Sequence, residues 1–284
     1  MELIKSLKGI SFDLIFESFK EAFSDYEVQV NKEELQTMLI RRGFNPELSF
    51  AAFKDGKIIS FTLNGIGVFN GKKTAYDTGS GTLKEYWGQG LATKIFKHSI
   101  PFLKEAGVYQ YLLEVLQHNK KAVSVYKKIG FEISREFNYY VPKNEEYRPN
   151  EKIMQSGYRI EQISKTESES MIKFCDFNPS WQNSFDAINR NPGDFLINGV
   201  FKEHKLLGYC VFEPISGDVT QIAVDKEYRR SGIATNLINE ALKHNKRDSF
   251  KILNTDTNCE SITKFIEANS IIPNGKQFEM IKQL

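Results

Sequence analysis

Cysteine and histidine are scarce in this sequence. The three cysteines, Cys175, Cys210 and Cys259, all lie in the second half and show no metal-ligand spacing. An odd number cannot complete a disulfide framework, so each is read as a small buried hydrophobe. The four histidines, His98, His118, His204 and His244, are scattered, and no metal site is expected from them. Charge of one sign is also lacking. A net charge of +2 argues against nucleic acid as a partner. No apolar run approaches the length of a membrane span, and Met1-Glu2-Leu3-Ile4-Lys5 carries no secretory apolar region. A cytoplasmic protein with no membrane partner is the expectation. Glycine loops of the familiar nucleotide-binding kinds are missing too. Gly79-Ser80-Gly81 would need a further glycine at Lys84, and Gly88-Gln89-Gly90 one at Thr93. No Gly-Lys-Ser/Thr ending is present.

What the sequence does contain is a repeat. Glu85-Tyr86-Trp87-Gly88-Gln89-Gly90-Leu91-Ala92 reappears as Glu227-Tyr228-Arg229-Arg230-Ser231-Gly232-Ile233-Ala234, an offset of 142 positions from Trp87 to Arg229. Asn119-x-x-Ala122-x-x-x-Tyr126 reappears as Asn258-x-x-Ser261-x-x-x-Phe265, an offset of 139. Two separate motifs sharing nearly one offset indicate a tandem of one domain. The 284 residues suffice for two cores, and 40% hydrophobic with 26% charged residues is ordinary for globular chains. The stretch Pro142 to Glu151 has two prolines, many charges and no apolar period, which makes it the linker. Domains are therefore expected at 1–141 and 157–284, joined by 142–156.

Within the first domain, Phe12, Leu14, Ile15, Phe19 and Phe23 form a helical stripe, and Asn31 with Glu34 opens a second helix as a capping box. Strands are expected over Leu48–Phe53, Lys57–Phe69 and Thr74–Leu83, with Asp55-Gly56 and Asn70-Gly71 as turns. A helix from Ala92, a strand Gln110–Leu116, a helix 119–128 ending at Gly130 and strands over Phe131–Val141 complete it. The second half repeats the plan. A helix is expected over 167–175, strands over Phe195–Phe201, Leu206–Phe212 and Asp218–Val224, and a helix from Leu237. Strand Lys251–Asn254, helix Cys259–Ala268 and strand Phe278–Ile281 follow. This is a mixed α/β plan in which a helix begins directly after a central strand. Such a junction aims unpaired backbone N–H groups and a positive dipole end at one point, which suits a phosphate or pyrophosphate. A tight turn without a ligand would leave the same trace.

Arg229-x-x-Gly232-x-Ala234 after Ile222-Ala223-Val224 resembles the Arg/Gln-x-x-Gly-x-Gly/Ala signature of the GNAT acetyltransferase superfamily. The first copy is similar, with Gly90 and Ala92 in place but Trp87 where Arg or Gln is usual. Asn119-x-x-Ala122-x-x-x-Tyr126-x-x-x-Gly130-Phe131 resembles the second signature of that family. The resemblance implies two domains, each a mixed, mostly antiparallel sheet with splayed parallel strands and flanking helices. It implies acetyl-CoA as co-substrate, no metal, and direct acyl transfer to a small-molecule or peptide amine by a monomer or homodimer. A catalytically inactive acyl-CoA-binding or regulatory module is the competing reading. The cofactor contacts implied in the first domain are Gly81, Thr82, Leu83, Trp87, Gly88, Gln89, Gly90, Leu91, Ala92 and Asn119. In the second they are Ile222, Ala223, Val224, Arg229, Arg230, Ser231, Gly232, Ile233, Ala234 and Asn258.

By the same resemblance Tyr126 protonates the departing CoA thiolate. Its alternative is a core aromatic of an amphipathic helix. The base is open between several carboxylates. Asp218 lies eleven positions before Arg229, where some family members carry a glutamate, and Tyr76 holds the matching place in the first domain. Asp77 is one position on, on the opposite face unless a bulge intervenes. Glu114, a charge in the apolar strand Leu112-Leu113-Glu114-Val115, is either a base or a partner of a nearby cation. Phe265 cannot donate a proton, so the first domain is expected to be the working copy. Arg41-Arg42 is read as a surface pair after the second helix, the alternative being selection of an anionic acceptor.

Overall fold

The computed structural model describes residues 2–25, 29–150, 154, 156–163 and 168–284. The chain divides into two compact units. One runs to Ser134 and takes in Phe278–Leu284; the other is Arg135–Gln277.

In the first unit, β1 (Leu3–Ser6) is followed by α1 (Phe12–Ala22) and α2 (Lys32–Arg42), then β2 (Phe50–Lys54), β3 (Lys57–Phe69) and β4 (Lys72–Thr82). Ser11 caps α1 by accepting from the Leu14 N–H, and Asn31 with Glu34 forms the expected reciprocal capping box on α2. Asp55-Gly56 and Asn70-Gly71 all have positive φ, as the tight two-residue turns of hairpins require. A short 3-10 turn, Lys84–Tyr86, leads to α3 (Leu91–Glu105), β5 (Gln110–Leu116) and α4 (Lys120–Lys128). Strands β1 to β4 pair antiparallel. Strand β5 runs parallel to β4 only through Thr74/Gln110, Ala75/Tyr111 and Tyr76/Leu112, after which the two diverge. The sheet is packed on both faces. Ile15, Phe19, Leu35, Leu39 and Phe61 fill one side, and Phe96, Leu103, Tyr111, Leu113 and Met280 the other.

The closing strands are exchanged. β6 (Glu132–Tyr140) was expected to finish the first domain, but from Arg135 it belongs to the second unit. There it pairs antiparallel with β11 (Ile252–Asp256), through Thr255/Asn138 and Asp256/Phe137. From Phe278, β12 (Gly275–Gln283) belongs to the first unit, next to β5, and the Leu284 N–H donates to the Tyr109 carbonyl at 2.9 Å. The compact units thus part within 132–140 rather than at 142–156. The segment read as a linker is itself built into the second unit. The Asn144 N–H donates to the Asp248 carbonyl at 2.8 Å, and Tyr147 meets Phe250 edge-on at 5.4 Å. Residues 151–153 and 155 of that segment lie outside the described residues.

The second unit has β7 (Tyr158–Gln162), a short α5 (Ser168–Met171) and α6 (Phe185–Arg190), then β8 (Leu196–Lys202), β9 (Lys205–Glu213) and β10 (Asp218–Val224). After a 3-10 turn at Lys226–Tyr228 come α7 (Ile233–Leu242), β11 and α8 (Glu260–Ala268). The helix expected over 167–175 is broken into α5 and a 3-10 turn at Ile172–Phe174, and Glu167 lies outside the described residues. β7 to β10 form an antiparallel sheet, and Asp218 of β10 makes an isolated parallel bridge with Lys251, the residue before β11. Among the described residues no helix is long and apolar enough to cross a membrane.

Candidate active site and a second cleft

Both strand-to-helix loops have one backbone shape. Trp87 is extended, Gly88 has φ 78° and Gly90 φ 73°; Arg229 is extended, Arg230 has φ 63° and Gly232 φ 83°. A loop of this alternation turns successive N–H groups toward one side and makes an anion-binding concavity. Arg230 adopts the left-handed conformation without glycine's freedom, at a cost of about 1 kcal/mol. Helices α3 and α7 start at Gly90 and Gly232 with no side-chain cap, whereas α1, α2 and α4 are capped by Ser11, Asn31 and Asn119. Their first-turn N–H groups are left for a ligand. In front of Gly88 and Gly90 there is open space where a Cβ would project, so a pyrophosphate fits this cradle. The side chains flanking the loops are also alike. The Trp87 Nε1–H donates to the Thr82 carbonyl at 2.7 Å, and the Arg229 Nε–H to the Val224 carbonyl at 3.0 Å.

In the first unit the register of β3 and β4 shifts between Leu63/Gly79 and Asn64/Asp77, which makes Thr78 the extra residue of a bulge. The bulge falls after Asp77, so Tyr76 and Asp77 keep opposite faces. Asp77 is only 8% exposed. Its Oδ1 accepts from the Gly79 N–H at 3.0 Å, and its Oδ2 from Ser80 Oγ at 2.9 Å and from the Tyr126 hydroxyl at 3.3 Å. Burial pushes the Asp77 carboxyl up to about 6, against the downward pull of those donors and of Arg42. Asn119 caps α4 through the Ala122 N–H and lies two turns before Tyr126, whose ring packs edge-on against Phe96 at 5.7 Å. On the other face, Tyr76 is hydrogen-bonded with Glu114; burial and the Glu114 charge push its phenol well above the usual range. Glu114 lies just beyond the last parallel pair, where β4 and β5 open. Arg42 is half-buried, and its Nη1 donates to the Thr78 carbonyl at 2.9 Å. That contact ties the end of α2 to the bulge, a structural role that the reading as a surface pair missed. Gly65 allows the approach, since a Cβ there would clash with the Arg42 carbonyl oxygen.

The second unit has the same frame with other side chains. Its bulge is at Thr220, offset 142 from Thr78, and the Asp218/Lys251 bridge corresponds to Tyr76/Leu112. Asp77, Glu114 and Tyr126 are matched by Val219, Leu253 and Phe265. Val219 and Phe265 belong to one apolar cluster, and all three residues line a cleft of about 430 Å³. Asp218 is 1% exposed, accepts from Thr220 Oγ1 at 3.2 Å and is not among the residues lining the cleft. Arg229 forks onto both oxygens of Asp176, at 2.8 and 3.0 Å, and Ser261 of α8 donates to the same carboxylate. Burial pushes Asp176 up, but Arg229 and Ser261 outweigh it and hold the carboxyl below the usual range. Across the splay, Gln221 donates to the Asn183 carbonyl at 2.6 Å and Asn183 to the Leu253 carbonyl at 2.9 Å.

The structure thus brings Trp87 to Gly90 together as one loop that runs into the first turn of α3 at Leu91 and Ala92, with Asn119 as a helix cap. Leu83 is buried in the core, its N–H donating to the Ile59 carbonyl at 3.0 Å. Of the second set, residues 222–224, 229, 230 and 232–234 line the cleft; Ser231 and Asn258 do not. Ser231 turns its hydroxyl onto the Tyr228 carbonyl. Asn258 precedes α8 and its N–H donates to Asp256, so it does not repeat the cap made by Asn119. The Asp77–Tyr126 contact and the Asp176 bridge were not anticipated. The run Asp77-Thr78-Gly79-Ser80 carries the one local signal, because an Asp followed by Gly and Ser two and three residues on folds its carboxylate onto its own loop. Among the described residues no group of His, Cys, Asp or Glu has the arrangement of a metal site.

The sequence pattern of the acetyltransferase (GNAT) family matches residues 12–131 and 158–262. N-alpha-acetyltransferase 30 of Schizosaccharomyces pombe is 31% identical over 105 residues, 36% of this chain and 70% of that protein. N-alpha-acetyltransferase MAK3 of Arabidopsis thaliana is 28% identical over 104 residues, 36% of this chain and 55% of that protein, so the chain spans little more than half its length. In fold, the chain is similar to a tandem GNAT protein from the clavulanic acid biosynthesis pathway, with a TM-score of 0.75, 10% identity and coverage of 100% and 98% of the two chains. A putative acetyltransferase from Pyrococcus horikoshii has a TM-score of 0.71 at 13% identity, covering 100% and 89%. With its two matched segments, two copies of the cradle and two splayed strand pairs, this chain belongs to the acetyltransferase (GNAT) family.

Proposed function

We propose that the first unit moves the acetyl group of acetyl-CoA directly to a primary amine, and that the α-amino group of a peptide is its acceptor class. The N-alpha-acetyltransferase relatives support that class. The observation that carries the assignment to the first unit is the coupled difference between the copies. Asp77 and Glu114 on the open strands and Tyr126 on α4 are all apolar in the second copy, as Val219, Leu253 and Phe265, and the acid that copy does hold, Asp218 in place of Tyr76, does not line its cleft. The second unit keeps its cradle and its cleft, and is read as binding CoA without turnover.

The loop from Trp87 to Gly90 and the uncapped start of α3 at Leu91 and Ala92 hold the pyrophosphate. Acetyl-CoA supplies an activated thioester; all else falls to the chain. The bulge at Thr78 takes a backbone N–H out of the ladder, and such a donor polarises the thioester carbonyl. Attack needs a neutral amine; an α-amino group with pKa ~7.7–8.0 is already partly neutral near pH ~7, and a carboxylate in the cleft takes the proton it sheds as it attacks. Glu114, at the opening of β4 and β5, is that carboxylate. Tyr126 protonates the departing thiolate.

The test is acetyl-CoA turnover, followed by trapping of the released thiol, on peptides differing in their N-terminal residue and on small amines. Peptide-dependent release with an α-acetylated product is the expected result. Bound CoA with no release on any acceptor would replace this reading with that of a silent CoA-binding module.

A further inference from the structure

The first unit buries a carboxylate that the mechanism above does not use. Asp77 lies in the same cluster as Tyr126, which touches its Oδ2 at 3.3 Å. Gly79 and Ser80 fix both carboxylate oxygens, so the side chain cannot swing away. The second copy has lost both members together, to Val219 and Phe265, and has kept the bulge between them and the cradle. A carboxylate needed only to shape the bulge would persist where the bulge persists. Its loss together with the phenol ties it to the phenol.

We infer that Asp77 is the positioning and proton-return partner of Tyr126, handing the phenol a proton as the phenol protonates the departing CoA thiolate. This rests on the reading of the first unit as the transferring site. At rest the Tyr126 hydroxyl donates to Asp77. With Asp77 protonated the contact reverses: Asp77 donates to the phenol oxygen, and the phenol proton is turned to the cleft. The S–H bond forms as the Tyr126 O–H bond breaks, and a new O–H bond forms on Tyr126 as the Asp77 O–H bond breaks. Tyr126 ends neutral, Asp77 ends as a carboxylate, and solvent reprotonates it before the next cycle. The arrangement answers an energetic difficulty. A phenol of pKa ~10 is a weak acid toward a thiolate of pKa ~8.5, and a tyrosinate beside a carboxylate would be weaker still as a product.

Other groups near Asp77 do not fill the role. Tyr111 of β5 gives its hydroxyl to Asn64 Oδ1 of β3, and Tyr76 of β4 is engaged with Glu114. Burial holds both phenols well above their usual range, so neither exchanges protons near neutrality. Arg42 of α2 donates to the Thr78 carbonyl. The Asp77 carboxyl itself, raised to about 6 by burial, is placed to cycle.

The test compares Asp77→Asn, Tyr126→Phe and the double variant in acetyl transfer to peptides with free α-amino groups. Asp77→Asn should lower kcat by roughly 10-fold or more, with KM for acetyl-CoA unchanged. The double variant should be no slower than Tyr126→Phe alone, because the two act as one unit. Wild-type kcat should show an alkaline limb set by Asp77 that the Asn variant lacks. Multiplied defects in the double variant, or the same limb in both, would overturn the inference. A carbon-13 carboxyl titration of the intact chain needs no acceptor and no Asp77 variant. It should show Asp77 titrating near 6, and higher still in Tyr126→Phe, where the donor is gone. A midpoint that ignores Tyr126 overturns the inference as well. Undiminished turnover in Tyr126→Phe would instead sink the reading of the first unit, whereas undiminished turnover in Asp77→Asn alone would sink only the proton return.

Discussion

Trp87 and Arg229 make the same contact 142 positions apart. Each is extended, each precedes a left-handed residue, and each donates a side-chain N–H to the last residue of the strand before the turn, Thr82 at 2.7 Å and Val224 at 3.0 Å. Tryptophan therefore does not abolish the signature. It keeps the tether that holds the loop shut, and leaves an indole that is 55% exposed at the mouth of the cradle.

Trp87→Ala should accordingly weaken acetyl-CoA binding in the first unit by about 5-fold, the worth of one hydrogen bond of ~1 kcal/mol. Trp87→Arg should lose less, because the guanidinium restores the donor. Calorimetry on both variants checks this. An Arg variant that binds as weakly as the Ala variant would show that the tether is incidental.

Tyr126→Phe should lower turnover by roughly 10²-fold while acetyl-CoA affinity changes little, since the ring packing against Phe96 and Phe131 is kept. Unchanged turnover would remove the phenol from the mechanism.

Asp77 also leaves a mark on stability. Its carboxyl sits at about 6 in the folded chain against an ordinary 3.8. Because the folded value is the higher one, the stabilising contribution of the bound proton is complete below the unfolded value. It is lost as pH rises through about 6. Two pKa units correspond to about 3 kcal/mol. Asp77→Asn has no such penalty, so its thermal stability relative to the wild type should improve between pH ~4 and ~6 and then level off. Melting curves of both proteins over that range give the answer; a constant difference would mean that Asp77 titrates normally.

Much of the frame was legible in the sequence because its determinants are local. The capping box at Asn31 and Glu34, the turns at Asp55-Gly56 and Asn70-Gly71, and the glycine at 90 and 232 each require only a few neighbouring residues. Strands β1 and β7, four and five residues long, are too short to show a period. The exchange of β6 and β12 was not legible either. Both read as closing strands with similar alternation, and periodicity says which face is buried but not which neighbour a strand will choose. In the site, Arg230 is expected among the cofactor contacts, but nothing in an arginine signals the left-handed conformation that Gly88 holds at the matching place. The opposite faces of Tyr76 and Asp77 followed from alternation, but the place of the bulge decided that Asp77 meets Tyr126, and nothing in the spacing located it.

By the proposed mechanism the first unit transfers and the second does not. Acetyl transfer by Gly90→Glu and by Gly232→Glu, measured on the same acceptor, tests it most directly. Both positions have positive φ, so both substitutions carry a similar backbone cost of ~1 kcal/mol, and each controls for the other. In either cradle the new carboxylate would repel a pyrophosphate. Gly90→Glu should abolish turnover, and Gly232→Glu should leave it largely intact. Full activity in Gly90→Glu, with loss in Gly232→Glu, would contradict it.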